Sequence, residues 1–313
     1  MPDQTLFSNP TIINRSSESM REVPDDSVTL TVTSPPYWNA IDYDGYAEGK
    51  RSSKYAFRTR AYGKGFKPDD YEGYLALMQR IFREVYRVTR PGGCCAIVVA
   101  SIQHEGRCYP IPFDLTTRMQ AIGWVVYHTL VWNKCRSVMD RGGTFIRLGT
   151  PGSFHPNVYT EHILVFRKPG PRLFNAKQTA RDRLPISTLV KLDVVKDIWH
   201  IGTVGPRTIE HPCPFPAEVP HRLILLYSST GDLVLDPFCG SGQTGAVANA
   251  LERRFVGYEI ETPFAEYART RVRQPPNLRR RQLIARYQHL EDDPFALIGN
   301  ADPAKETPGR DAA

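Results

Sequence analysis

The segment Asp232–Gly245, DLVLDPFCGSGQTG, is a run of β-formers that ends in a glycine turn and opens a helix-forming stretch. Strand, glycine turn and helix in that order are the local unit of nucleotide-binding parallel α/β sheets, so this segment sets the fold class. The spacing departs from G-x-G-x-x-G, and no Gly-Lys-Ser/Thr follows that would hold a triphosphate. A diphosphate ligand is therefore disfavoured. Gly240 and Gly242 admit a ligand close to the backbone, and Asp236 puts a carboxylate at the strand end where a cationic group can be held. The next strand pattern, RFVGYEI, reaches Glu259 nineteen residues past Gly240, the separation at which an acidic side chain meets ribose hydroxyls. Read otherwise, Glu259 is a surface carboxylate at a strand end. The combination points to an adenosine-bearing ligand without phosphates.

Upstream, strand and helix patterns alternate. YEGYLALMQRIFREVYRVT (71–89) carries apolar residues at helical spacing and is stopped by RPGG; CCAIVVAS follows as a buried strand. PFDLTTRMQAIG reads as a helix, WVVYHTLVWNK and EHILVFRK as strands, and PAEVPHRLILLYSS as a helix leading into DLVLDPF. TGAVANALE is the helix that precedes RFVGYEI. This alternation is that of a parallel α/β sheet with helices on its faces. Residues 135–160 are Gly-rich and irregular, residues 169–199 read as an excursion from the core, and residues 293–313 as a frayed tail.

At the other end of the chain, the strand pattern SVTLTVT runs into Thr33-Ser34-Pro35-Pro36-Tyr37-Trp38. The prolines fix φ and lack N–H groups, so they end the ladder and leave carbonyls free to accept hydrogen bonds. A flat ligand with N–H donors suits such a site.

The 313 residues carry a net charge of +7, and 41% of them are hydrophobic, enough for a substantial core. Basic residues crowd into Lys50–Lys67, interleaved with Tyr and Phe, and into Arg269–Gln282. Such runs neutralise phosphates and stack on bases, or else are a solvated loop and a solvated helix end. No apolar run approaches the roughly 20 residues of a membrane span, and the N-terminus lacks a signal-peptide pattern. The six cysteines show no metal-ligand spacing and read as free thiols; no metal site is expected.

TSPPYW and DPFCGSGQTG together resemble the motifs of the DNA amino-methyltransferases: a (Ser/Asp/Asn)-Pro-Pro-(Tyr/Phe) catalytic motif and an Asp-Pro-Phe-x-Gly-Ser-Gly cofactor motif. The catalytic motif comes first, which resembles the permuted β arrangement of type II restriction-modification enzymes. RVTRPGG, LVWNK, EHILVFRK, HPCPFPAEVPHRLI and RFVGYEIETPFAEYARTR extend the resemblance over residues 12–272. It implies a Rossmann-like, mostly parallel seven-strand-type sheet with helices on both faces, spanning residues 1–292, and S-adenosyl-L-methionine as cofactor. Asp236, Phe238, Gly240, Ser241, Gly242, Thr244 and Glu259 would form the cofactor site, with His211 and Phe215 contributing from the segment before the next helix. Ser34, Pro35, Pro36 and Tyr37 would be catalytic, the Ser34 hydroxyl and Pro35 carbonyl accepting the amino protons of a flipped base and Tyr37 stacking on it. Two departures stand out: Ser16 or a neighbour replaces the usual acidic residue near the adenine, and Gln243 stands where Thr is usual.

By the same resemblance the partner is double-stranded DNA, and a cognate restriction endonuclease acting separately is a further one. The chain would act in the prokaryotic or phage-infected cytoplasm, at the nucleoid, as a monomer or homodimer. Ser at the first motif position favours cytosine N4 over adenine N6. Residues 135–160 and 169–199, with the basic aromatic stretch 40–67, would recognise the target; their alternative is padding at the sheet edge. Rival readings are protein glutamine methylation, opposed by motif order, an RNA substrate, and a nucleic-acid binder without catalysis.

Overall fold

The computed structural model describes residues 6–38, 70–104, 107–134, 159–171, 173, 182, 184–191, 194–203 and 216–274. Its first strands are β1 (Thr11–Asn14) and β2 (Val28–Thr33), and every residue of β2 is buried. Burial on both faces is what its alternation of aliphatic residues with threonine, rather than with charge, allows, and it puts β2 mid-sheet. Helix α1 (Tyr71–Val88) is capped by the Asp70 carboxylate, which accepts from Gly73 N at 2.7 Å. Strand β3 (Thr89–Val99) starts directly after it, so RPGG both stops the helix and begins the strand. Gly92 there has φ +86°, and a Cβ would lie 2.1 Å from the Pro171 carbonyl oxygen.

A short hairpin, β4 (Ile102–His104) and β5 (Arg107–Tyr109), precedes α2 (Ile111–Ile122) and β6 (Val125–Asn133). Then come β7 (Thr160–Arg167), α3 (Ile186–Lys191), β8 (Ile198–His200), α4 (Glu218–Tyr227), β9 (Leu233–Asp236), α5 (Gln243–Ala250), β10 (Arg254–Glu259) and α6 (Thr262–Arg271).

The main sheet has eight strands in the order β1-β10-β9-β2-β3-β7-β6-β8. All neighbours are parallel except β7, which runs antiparallel to both β3 and β6. The mostly parallel seven-strand-type sheet expected from the sequence is thus present, with one reversed strand and with β8 added at an edge. β8 falls at the end of the stretch read as an excursion: Trp199 is fully buried and pairs with Trp132. On one face α1 and α2 deliver Tyr74, Met78, Phe82, Leu115 and Met119 to the core. The opposite face is covered by α4, α5 and α6 through Leu223, Ile224, Val247, Ala265 and Ala268. Cys94, Cys95, Cys108 and Cys239 are free thiols, while Cys135 and Cys213 lie outside the described residues. Among the described residues no helix is long and apolar enough to cross a membrane, and no cluster of potential metal ligands occurs.

Because β1, β2, β3, β6, β9 and β10 point the same way, Asn14, Thr33, Val99, Asn133, Asp236 and Glu259 end at one edge of the sheet. Reversed β7 begins there with Thr160 and Glu161. In parallel α/β sheets this carboxyl edge is where ligands bind.

Candidate active site

The two sequence motifs, some 200 residues apart, meet because β2 and β9 are neighbours, Leu30 opposite Val234 and Thr31 opposite Leu235. One side chain joins them. Asp236, only 1% exposed, accepts from the Thr33 hydroxyl at 2.6 Å, the Thr244 hydroxyl at 2.7 Å and the Phe238 N–H at 3.1 Å. Sequence alone suggests a carboxylate open to a cationic group; here its oxygens are engaged inside the protein, tying the end of β2 to the first turn of α5. Burial pushes its pKa up to about 6, and the three donors only partly counter that.

Between β9 and α5 the chain turns through Gly240 (φ +48°) and Gly242 (φ +76°). A Cβ at Gly242 would sit 2.9 Å from Val272 Cγ1 and 3.1 Å from Ala268 Cβ, so α6 presses directly on the turn. Ser241 is buried and its hydroxyl accepts from Arg271 at 3.1 Å, while Gln243 Oε1 accepts from the same guanidinium. The unusual Gln243 therefore has a structural partner in α6. Phe238 packs edge-on to Phe82, with ring centroids 6.3 Å apart.

Glu259, half-buried at the end of β10, accepts from Gly240 N at 2.9 Å through Oε2 and from Glu261 N at 2.8 Å through Oε1. Each oxygen keeps a lone pair, so the group suits the two adjacent hydroxyls of a ribose while it holds the glycine turn. Burial raises its pKa to about 7, against the pull of those two N–H groups. Accepting two hydroxyls requires the carboxylate form. Affinity for an adenosine-bearing cofactor should therefore rise about three- to tenfold as pH climbs from 6 to 8, and Glu259→Gln should flatten that dependence. Calorimetric titration across that range checks it.

Near the N-terminus, the Ser16 hydroxyl accepts from Glu18 N at 3.2 Å, and the Glu18 carboxylate is paired with Arg80 at 2.9 Å. The carboxylate two positions on from Ser16 is thus engaged with α1. His211 and Phe215 lie outside the described residues, as do the basic stretch 40–67, nearly all of 135–160 and the tail 293–313.

At the end of β2, Ser34 and Pro36 are half-buried, and Pro35 and Tyr37 are buried. Tyr37 donates its hydroxyl hydrogen to Glu161 Oε2, and Glu161 Oε1 is ion-paired with Lys134. Trp38 packs against Tyr109 and Tyr71, with centroids 4.2 and 5.2 Å away. The structure thus brings Ser34, Pro35, Tyr37, Asp236, Gly240, Gly242 and Glu259 to one edge of the sheet. Glu161 and Lys134 were not anticipated as site residues; their signal was an acidic residue opening EHILVF and a lysine closing LVWNK.

The mostly parallel sheet, with its carboxyl edge joined through Asp236, is similar in fold to solved methyltransferases. TTHA0409 of Thermus thermophilus, described as a candidate DNA modification methylase, is 28% identical with a TM-score of 0.63, covering 86% of this chain and 97% of that one. It has also been solved in complex with S-adenosyl-L-methionine. The cytosine-N4-specific PvuII DNA methyltransferase, 16% identical, shares the fold at a TM-score of 0.61, with 91% of this chain and 95% of that one covered. The DNA methylase family matches residues 28–270, and the chain belongs to it. Among its relatives, the type II methyltransferase M.MjaI of Methanocaldococcus jannaschii is 31% identical over 277 residues, 82% of this chain and 88% of that protein. M.MthZI of Methanothermobacter thermautotrophicus, also a type II methyltransferase, is 27% identical over 302 residues, 88% and 80% of the two chains.

Proposed function

We propose that this DNA methylase transfers a methyl group to the exocyclic amino nitrogen of a base flipped out of double-stranded DNA, with N4 of cytosine the favoured acceptor. The observation that carries this reading is the Thr33–Asp236–Thr244 junction, which fixes the Ser34-Pro35-Pro36-Tyr37 loop beside the glycine turn.

When bound, S-adenosyl-L-methionine would supply an electrophilic methyl group from its sulfonium, the S–CH3 bond breaking as N–CH3 forms, with the thioether S-adenosylhomocysteine as leaving group and the amino proton passing to solvent. Glu259 would hold the cofactor's ribose hydroxyls, and the turn from Phe238 to Gly242 would receive its methionine portion. An exocyclic amino group is a poor nucleophile because its lone pair is delocalised into the ring. Acceptors for both amino hydrogens favour a tetrahedral nitrogen, and they act most strongly as that nitrogen becomes positive. The Ser34 hydroxyl and the Pro35 carbonyl are those acceptors. Among the described residues neither has a hydrogen-bond partner, so both are available. Tyr37, 9% exposed and packed with the core at this edge, is the ring proposed to stack on the base, compensating part of the few kcal/mol lost on unstacking. Residues 40–67, 135–160 and 169–199 contribute the DNA contacts and target recognition, and the basic charge of the chain supports binding to the phosphates.

Serine at the first motif position supports cytosine. Archaeal and bacterial relatives support action on cytoplasmic DNA. A separate cognate endonuclease fits the type II relatives, although M.BamHII is described as an orphan methyltransferase. The test is to incubate the protein with unmethylated bacterial DNA and S-adenosyl-L-methionine, digest to nucleosides and identify the product by mass spectrometry. N4-methylcytosine is the expected product. N6-methyladenine would reverse the choice of base, and absence of both would overturn the reading.

A further inference from the structure

Tyr37 stands at the end of a proline-stiffened loop, yet its hydroxyl is bound two strands away. Leaving β2, the chain passes the end of β3 and reaches Glu161 on β7, 124 residues on in sequence. Glu161 is 4% exposed, and a carboxylate so buried requires compensation. Lys134 provides it: the residue follows β6, its backbone N–H donates to the Tyr159 carbonyl at 3.0 Å, and its ammonium pairs with Glu161. The same ammonium lies 5.4 Å from the centroid of the Trp132 ring, and Trp132 is the cross-strand neighbour of Glu161. Three elements thus converge on one tyrosine hydroxyl.

Resting on the reading of Tyr37 as the residue that stacks on the flipped base, we infer that the Lys134–Glu161 ion pair is a positioning device that sets the plane of the Tyr37 ring. The proline backbone anchors one end of that ring and the carboxylate anchors the other, so the ring is held before the base arrives. A phenolic O–H donated to a carboxylate is stronger than one donated to a neutral acceptor and resists rotation accordingly. Lys134 and Glu161 also stand at the two ends of the connection between β6 and β7. That connection contains one of the stretches assigned to target recognition. The pair therefore joins the residues that bracket this connection to the residue proposed to receive the base.

Two substitutions isolate the device. Tyr37→Phe keeps the ring and removes only the hydroxyl; Glu161→Gln keeps the shape and removes the charge. Each is expected to lower kcat for methylation of unmethylated bacterial DNA about 10- to 100-fold, with S-adenosyl-L-methionine affinity within about twofold of wild type. Tyr37→Phe should also lower Tm by no more than a few degrees, the cost of one buried hydrogen bond, with the folded protein still binding cofactor. Because both act through one bond, the double variant should be no slower than the slower single one. If Glu161→Gln fails to fold with Lys134 left unpaired, Lys134→Gln/Glu161→Gln removes both charges together and replaces it in the cycle. Effects that multiply, a loss confined to cofactor affinity, or an unaffected Tyr37→Phe in an active background would overturn the inference alone. A wild-type protein that methylates no DNA would overturn the function on which it rests, and the inference with it.

Discussion

Ser34→Ala is expected to lower kcat for methyl transfer by about 10²–10³-fold while changing the dissociation constant of S-adenosyl-L-methionine by less than about twofold. The reason is positional. Ser34 is the first residue beyond β2, its side chain is not part of the Thr33–Asp236–Thr244 junction, and the glycine turn is held by Glu259 and α6 without it. Its hydroxyl contributes when the amino nitrogen develops charge, and an interaction realised only in the transition state appears in kcat. Single-turnover methylation with saturating DNA, beside calorimetry for the cofactor, separates the two quantities. A parallel loss of cofactor affinity would instead make Ser34 part of the binding pocket.

Asp236→Ala should be damaging in a different manner, lowering Tm by about 5–10 °C and weakening both cofactor binding and turnover. Removing the carboxylate leaves the Thr33 hydroxyl, the Thr244 hydroxyl and the Phe238 N–H without their acceptor in a dry environment. Each unmet group costs about 1–3 kcal/mol, offset in part because a charge no longer has to be buried. Asp236→Asn keeps an acceptor but cannot titrate. In the wild type the folded-state pKa of about 6 exceeds the ordinary 3.8, so the folded protein binds the proton more tightly than the unfolded chain. That contribution is full below about pH 4 and is lost as pH rises through 6, so wild-type stability should fall relative to Asp236→Asn over that interval. Thermal melts of both proteins at pH 4, 5, 6 and 7 check the sign.

Much of the architecture was legible because its signals are local. The helices from Tyr71 and from Ile111 follow from periodicity and from Gly123, which ends the second at φ +118°. The strand ending at Asp236 and the glycine turn after it were legible from composition. Strand direction was not. EHILVFRK reads as a strand either way, and only its pairing with both β3 and β6 reverses it. Ile198–His200 is too short to show a period, and its place in the sheet depends on Trp199 filling a gap against β6. For the site, residue types and their spacing nominated Gly240, Gly242 and Glu259 as candidates. Neither could show which way a carboxylate faces, so the inward turn of Asp236 and the bond from Tyr37 to Glu161 required the packed sheet.

The strand order carries a consequence for how the chain comes into being. β2 takes its place between β3 and β9, and β1 lies along β10, so the sheet centre and one flank join segments from opposite ends of the sequence. Closing contacts so distant is slow. During synthesis the first strands emerge with β9 and β10 still unmade, and bare ladder edges of this kind invite pairing with other chains. Methylation capacity must therefore appear late and abruptly, when Leu233–Glu259 has left the ribosome, and a nascent chain stopped short of it would be a candidate for chaperone capture rather than a weak enzyme.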